Sequence, residues 1–173
     1  MLQIFQVETD KQKLDSRAML REYLDWLLAT INREAGAGAQ IDVEAVLEVA
    51  LEEAMREDGK FAPPEGRMLL AEENGSPAGL ICLRKIGANT GEVKRMYVTP
   101  AFRGKGVGRA MVERLCEEAR EIGYASIRLD SGPFMQSAHA VYRAAGFHEI
   151  NSYPESEVPP EYHSIWLFME LTL

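Results

Sequence analysis

Apolar residues along this chain recur first at helical spacing and later at strand spacing, and the changes of period mark the elements. Leu2 to Val7 is a short apolar run that predicts an opening strand. From about Asp10 to Glu34, Leu14, Ala18, Leu20, Leu24, Leu27, Leu28 and Ile31 fall mostly three or four apart, which predicts a helix with these residues inward. Gly36-Ala37-Gly38-Ala39 ends it. A second helix is predicted from Asp42 to Glu57, with Asp42 as N-cap and Val46, Leu47, Ala50, Leu51 and Ala54 facing the core. Ile41 and Val46 bracket that cap as a hydrophobic staple.

The period changes after Phe61-Ala62-Pro63-Pro64-Glu65-Gly66. Arg67 to Glu72 and Ala78 to Lys85 are short apolar runs joined by Glu73-Asn74-Gly75-Ser76-Pro77, a turn sequence, so an antiparallel hairpin is expected. Glu92 to Val98 is the next strand. If Val93 points inward, strict alternation turns Arg95 inward and Met96 outward, and a bulge near Lys94 to Met96 restores the register. A long amphipathic helix follows, with Val107, Ala110, Met111, Leu115, Ala119 and Ile122 on one side. Glu113, Arg114, Glu117, Glu118 and Glu121 cover the other, and Gly123 is the cap. Ser126 to Leu129 is a strand, Met135 to Ala145 a short helix capped by Gly146, and Phe147 to Ile150 and Ser164 to Leu173 are the last strands. Asn151 to His163, rich in Pro and Glu, forms a long loop of the sort that carries function.

Between the central strand and the amphipathic helix lies Val98-Thr99-Pro100-Ala101-Phe102-Arg103-Gly104-Lys105-Gly106-Val107-Gly108-Arg109. Helix-start amides lack partners and carry the positive end of the dipole, glycines admit a close approach, and Arg103, Lys105 and Arg109 add charge. The junction predicts a phosphate ligand. It is neither a P-loop, for no Ser or Thr follows Lys105, nor a dinucleotide fingerprint, for the glycines stand at alternate positions.

The run Arg103-Gly104-Lys105-Gly106-Val107-Gly108 resembles the pyrophosphate loop of the GNAT superfamily of N-acetyltransferases, which bind acetyl-coenzyme A. Glu92 to Pro100 is similar to that family's central strand, and Ala138 to Phe147 to its later helix, where a tyrosine precedes Gly-Phe. The resemblance covers about Glu92 to Phe147. It implies an α/β fold in which one GNAT-like domain, residues 1–173, has a mixed, mostly antiparallel sheet of six to seven strands, about four helices and a bulged central strand that opens the cofactor slot. It further implies that amides from Gly104 to Arg109 hold the pyrophosphate, with Val107 inside that stretch. Met96, Tyr97 and Val98 would line the pantetheine arm through main-chain groups, the Val98 amide facing the thioester carbonyl. Tyr142 would protonate the departing thiolate, and Glu92 would accept the proton of the substrate ammonium, with Glu155, Glu157, His163 and water as rivals. Many family members carry Asn where this chain has Met135. His139 is expected on the surface.

The reaction so implied is acetyl transfer to a primary amine by direct attack in a ternary complex, on a small molecule. The acidic segment Glu155-Ser156-Glu157 is expected to attract that cation. A coenzyme-A-binding sensor with the same fold and a protein amino-terminal acetyltransferase are the alternatives. Composition adds exclusions. A formal net charge of −8 over 173 residues argues against nucleic-acid binding. No apolar run approaches the roughly 20 residues of a membrane span, and Met1 to Phe5 lacks the pattern of a signal peptide, so a cytoplasmic location is expected. Cys82 and Cys116 read as reduced core thiols, and His139, His148 and His163 have no ligand spacing, so no metal is expected. Family members are often dimers, which makes a homodimer one implied partner state.

Overall fold

Asn74 and Gly75, with φ of 52° and 78°, turn β2 (Arg67–Glu73) back into β3 (Ser76–Lys85), as the hairpin sequence predicts. β1 (Leu2–Gln6) pairs antiparallel with β2, and β4 (Thr90–Val98) antiparallel with β3. β4 then runs parallel to the start of β5 (Ser126–Ser131). The short β6 (His148–Glu149) and β7 (Leu167–Thr172) complete a seven-stranded sheet in the order β1-β2-β3-β4-β5-β7-β6. The computed structural model describes residues 1–35 and 43–173. The Gly36-Ala37-Gly38-Ala39 stop, the Asp42 cap and the Ile41 half of the staple lie outside those residues. Four helices, α1 (Asp10–Ala35), α2 (Val43–Met55), α3 (Val107–Ile122) and α4 (Gln136–Ala144), accompany the sheet, in agreement with the expected class.

Strand alternation divides the buried side chains between two cores. Leu69, Ala71, Ile81, Leu83 and Val93 turn toward α3 and α4, where they meet Val107, Met111, Leu115 and Tyr142. Their neighbours Met68, Leu70, Leu80, Cys82 and Tyr97 turn the other way and meet Leu20, Tyr23, Leu24, Leu47 and Leu51 of α1 and α2. On α3 the buried stripe includes Val107, Met111, Leu115 and Ala119 as expected, Val112 and Cys116 widen it, and Glu118, expected on the outer side, is buried as well. Arg67 Nε donates to it over 2.6 Å and Arg114 pairs with it as well, so the carboxylate goes in with its charge matched. Gly123, at φ 99°, donates its N–H to the carbonyls of Ala119 and Arg120 and ends the helix.

On α1 the expected inward set needs correction. Leu14 is 69% exposed and Ala18 is exposed, while Ser16, Met19, Leu20, Tyr23, Leu24 and Leu28 are buried. At 100° per residue Leu14 and Ala18 fall on the side of the helix opposite Met19 and Tyr23, so apolar character alone misplaced them. Val46 likewise lies on the exposed rim of α2 rather than in the core.

Candidate active site

The irregularity read at Lys94 to Met96 is a bulge. Leu80 faces Tyr97 and Cys82 faces Lys94, so Ile81 alone stands opposite Arg95 and Met96. Arg95 absorbs the extra residue with φ 58°, a left-handed conformation that a non-glycine residue seldom takes. With that residue absorbed, Val93, Met96 and Val98 all pack with the α3 core, and Tyr97 joins the α1 core against Tyr23, ring centroids 5.9 Å apart. Tyr97 therefore has only its main chain to offer a ligand in the slot.

Beyond the bulge the sheet parts. Parallel pairing of β4 with β5 covers only Thr90 to Glu92 against Ser126 to Arg128. From Val93 onward the edge of β4 that faces β5 has no strand partner among the described residues, which is the geometry that accepts an extended ligand as an added strand. A cleft of about 110 Å³ occupies the gap. Its walls include Tyr23 of α1, Val93 to Met96 of β4, Asp130 and Ser131 of β5, Met135 and Tyr142 at α4, and Glu157 and Trp166 of the late loop. A larger cavity, about 300 Å³, lies by Val7, Glu57 and Phe61 and shares no wall residue with the cleft.

The glycine run leads from β4 into α3. Thr99 enters a single 3-10 turn, Pro100–Phe102, and Arg103 folds back to donate its Nε–H to the Val98 carbonyl at 3.0 Å. Gly104 (φ 75°) and Gly106 (φ 83°), the latter at the N-cap of α3, are left-handed, and a Cβ on either would meet nothing within 4 Å. Gly108 lies inside the helix, where a Cβ would make ordinary contacts with Val98 and Val141 at 3.6 and 3.8 Å. Lys105 lies over the Phe102 ring and Arg109 pairs with Glu113 at 2.7 Å. Open left-handed glycines at the positive end of a long helix, ringed by three cations, fit the diphosphate of coenzyme A.

Tyr142 lines the cleft and packs its ring on Phe147, centroids 5.5 Å apart. Its hydroxyl makes no hydrogen bond among the described residues, and burial raises its pKa, so it stays protonated. His139, expected on the surface, is buried. Three residues apart on a helix is the same face as Tyr142, not the opposite one. Its Nε2 lies within hydrogen-bond distance of Ser131 Oγ at 3.0 Å, at the cleft wall, and burial lowers its pKa and favours the neutral ring. The pair escaped the sequence reading, although His139-x-x-Tyr142 was a usable signal. Met135 also lines the cleft, where its sulfur sits 3.4 Å from Ser131 Oγ.

Glu92 sits behind the cleft. It is wholly buried, paired with Arg84, 3.5 Å from Lys94 Nζ, and accepts a 2.6 Å hydrogen bond from Tyr153. Burial raises its pKa against the lowering pull of Lys94, Arg84 and Tyr153. The late loop is pinned to this cluster: Arg84 donates to the Glu155 carbonyl at 2.8 Å, and Ser156 Oγ donates to Asp130 at 3.1 Å. Glu157 bonds Lys60 at 2.8 Å and Arg84 at 3.1 Å, with Lys94 at 3.7 Å. Burial alone would raise the Glu157 pKa, but these cations bring it down to about 2. The charge expected to draw a cationic substrate is thus matched by the protein's own cations. His163 is likewise engaged, with Nε2 2.8 Å from the Val158 carbonyl. Among the described residues no group of His, Cys, Asp and Glu side chains could hold a metal, and no helix is long and apolar enough to cross a membrane.

The fold recurs in known proteins. The PaiA N-acetyltransferase of Thermoplasma acidophilum, solved in complex with coenzyme A, superposes over 100% of this chain and 99% of its own, with a TM-score of 0.72 at 18% identity. An IAA acetyltransferase of Azospirillum brasilense is 38% identical over 89 residues, 50% of this chain and 58% of that protein. The human N-acetylaspartate synthetase is 29% identical over 113 residues, 64% of this chain and 37% of that protein. The chain thus spans less than two thirds of the length of these two sequence relatives. Residues 39–147, more than half of the chain, match the acetyltransferase (GNAT) family, and that stretch carries the bulged strand, the glycine loop and Tyr142. The chain belongs to the GNAT family.

Proposed function

We propose that the protein transfers the acetyl group of acetyl-coenzyme A to the primary amine of a small molecule by direct attack in a ternary complex. The observation that carries this reading is the continuity of one path. An unpaired β4 edge runs from the glycine loop at the start of α3 to a cleft walled by the unbonded hydroxyl of Tyr142. The names of the relatives, an IAA acetyltransferase and N-acetylaspartate synthetases, agree with acyl transfer to small molecules.

Acetyl-coenzyme A brings an acyl group activated as a thioester. The amides from Gly104 to Arg109 hold its diphosphate, with Arg103, Lys105 and Arg109 adding charge. Main-chain groups of Met96, Tyr97 and Val98 align the pantetheine arm, and the Val98 amide supports the thioester carbonyl oxygen. Tyr142 donates a proton to the departing sulfur. Glu92 is the proton sink behind the cleft, reached through water or the Tyr153 hydroxyl. Its raised pKa makes it a better acceptor than Glu157, whose affinity for a proton is far lower.

Acetyl transfer from labelled acetyl-coenzyme A to a panel of amines, amino acids and peptide amino termini tests the reading. An acetylated small amine with stoichiometric release of coenzyme A is the expected result. Tight coenzyme A binding with no acetylated product from any acceptor would favour the sensor, and acetylation of peptide termini alone would favour a protein substrate.

A further inference from the structure

The charged groups around the cleft are matched with a single exception. Lys94 pairs with Asp130 at 2.7 Å, and Glu157 is held by Lys60, Arg84 and Lys94. Arg95, also in the cleft wall, has neither a hydrogen bond nor an ion pair among the described residues, and its Nε is buried without a partner. The residue as a whole is only partly buried, but its Nε has given up water and gained nothing, which costs free energy, while the rest of the fork remains open to a ligand. It also stands where its backbone is least suited to it, at a left-handed φ of 58° that Gly would take more easily. Two unfavourable choices at one cleft residue point to a ligand that supplies the missing acceptors.

The direction of the side chain says which ligand. Arg95 shares the cleft with Tyr23, Leu27 and Ile31 of α1, and its Nε is buried there, so the guanidinium borders the α1 wall. The glycine loop and its three cations lead into α3, on the other side, so the phosphates of coenzyme A are served elsewhere. Arg95 therefore faces the acceptor. The anion that suits a planar guanidinium fork is a carboxylate, bound through two parallel hydrogen bonds.

We infer that Arg95 anchors a carboxylate of the acceptor, so that the substrate is an amino acid or a related aminocarboxylate; this rests on the acetyl-transfer reading above. The anchor has a second effect. With Arg95 matching the acceptor's carboxylate, the ammonium group loses the stabilising influence of that negative charge and gives up its proton more readily, and the neutral amine is the form that attacks.

Calorimetric titration of the coenzyme-A-loaded protein tests the assignment without requiring turnover. The probes are leucine, phenylalanine, methionine and aspartate, each beside its α-amide and its decarboxylated amine. The parent should bind at least one acid about tenfold to a hundredfold more tightly than its amide, the range expected for a charge-assisted contact. Arg95→Gln should abolish that preference while leaving amide and coenzyme A binding unchanged, and Arg95→Lys should restore part of it. Arg95→Gly, which suits the left-handed backbone, removes the guanidinium without strain and should behave as Arg95→Gln does. Equal binding of acid and amide, no binding of any acid, or a preference that survives in Arg95→Gly would overturn the inference. If simple amines are acetylated regardless of a carboxylate, acetyl transfer stands and only the anchor falls. If coenzyme A binds and no acceptor is ever acetylated, the functional reading itself fails.

Discussion

The two faces of the sheet are built by the same alternation but assembled differently. On the α3 face, one continuous stretch from Val93 to Val107 supplies the bulge, the unpaired edge, the glycine loop and the helix start. On the α1 face the cleft takes Tyr23 from α1, Arg95 from β4, and Glu157 and Trp166 from a loop more than fifty residues later. A site for a ligand common to a whole family is written in neighbouring residues. A site for a particular acceptor is gathered from distant ones, each held by contacts that no local pattern records.

The sharpest way to break the comparison is Gly106→Asp. It places a carboxylate at a left-handed N-cap facing the bound diphosphate, and acetyl-coenzyme A affinity should fall below detection by calorimetry. The strain at φ 83° amounts to roughly 1–2 kcal/mol, so the fold should survive a thermal melt with a lowered midpoint. Unchanged affinity would remove the phosphate loop from the α3 face.

Tyr142→Phe is next. Turnover should drop about a hundredfold, the low end for general acid catalysis, because coenzyme A thiolate is already a tolerable leaving group. Acetyl-coenzyme A affinity and melting temperature should hardly move, since the hydroxyl makes no hydrogen bond among the described residues. Parental turnover with chemistry shown to be rate-limiting would make Tyr142 a packing residue.

These two residues show what was legible. The hairpin turn at Asn74-Gly75, the bulge and the glycine loop are local devices whose residue types dictate backbone angles, so the chain declares them. The period of α1 declared a helix but not which side is buried, because Leu14 and Ala18 satisfy the spacing from the wrong side. The family resemblance points to Glu92, yet the cluster around it is completed by Tyr153, which comes from a loop about sixty residues away. Nor could spacing reveal that Glu157 is neutralised by Lys60, Arg84 and Lys94, or that Arg95 has no polar partner among the described residues.

Glu92→Gln sharpens the contrast at the boundary of the two faces. It swaps the charge for a neutral isostere while Arg84 keeps Glu157 and the Glu155 carbonyl and Lys94 keeps Asp130, so with burial already opposing the Glu92 charge the stability should fall by only about 1 kcal/mol. If Glu92 is the proton sink, turnover at saturating substrate should also fall about tenfold or more, with the larger loss at low pH, where less of the amine is already neutral. A variant that loses stability but keeps the parental pH profile would assign Glu92 to architecture alone.

The smallest effect is expected from Glu157→Gln. The carboxyl of Glu157 titrates at about 2 in the folded chain against an ordinary 4.5, so the stability it contributes is complete above about pH 4.5 and is lost as pH falls toward 2. Glu92 has the opposite sign, since its raised pKa makes ionisation harder in the folded chain. Acid melts of Glu157→Gln should therefore be flatter between pH 4.5 and 2 than those of the parent. The acceptor KM should rise severalfold as the late loop loosens, while acetyl-coenzyme A affinity stays. A change in cofactor affinity instead would mean that the two faces are not separable.

The bulge at Arg95 is one residue more than strict alternation needs. Remove that residue and Val93, Met96 and Val98 still face the α3 core and Tyr97 the α1 core, but β4 loses the bend at the place where it parts from β5. A deletion at this point would close the slot, whereas a substitution at Arg95 disturbs neither core. Sequence drift can therefore retune position 95 freely while length at that point is locked, which makes it the natural place to look for altered acceptor choice among chains that keep the same cofactor.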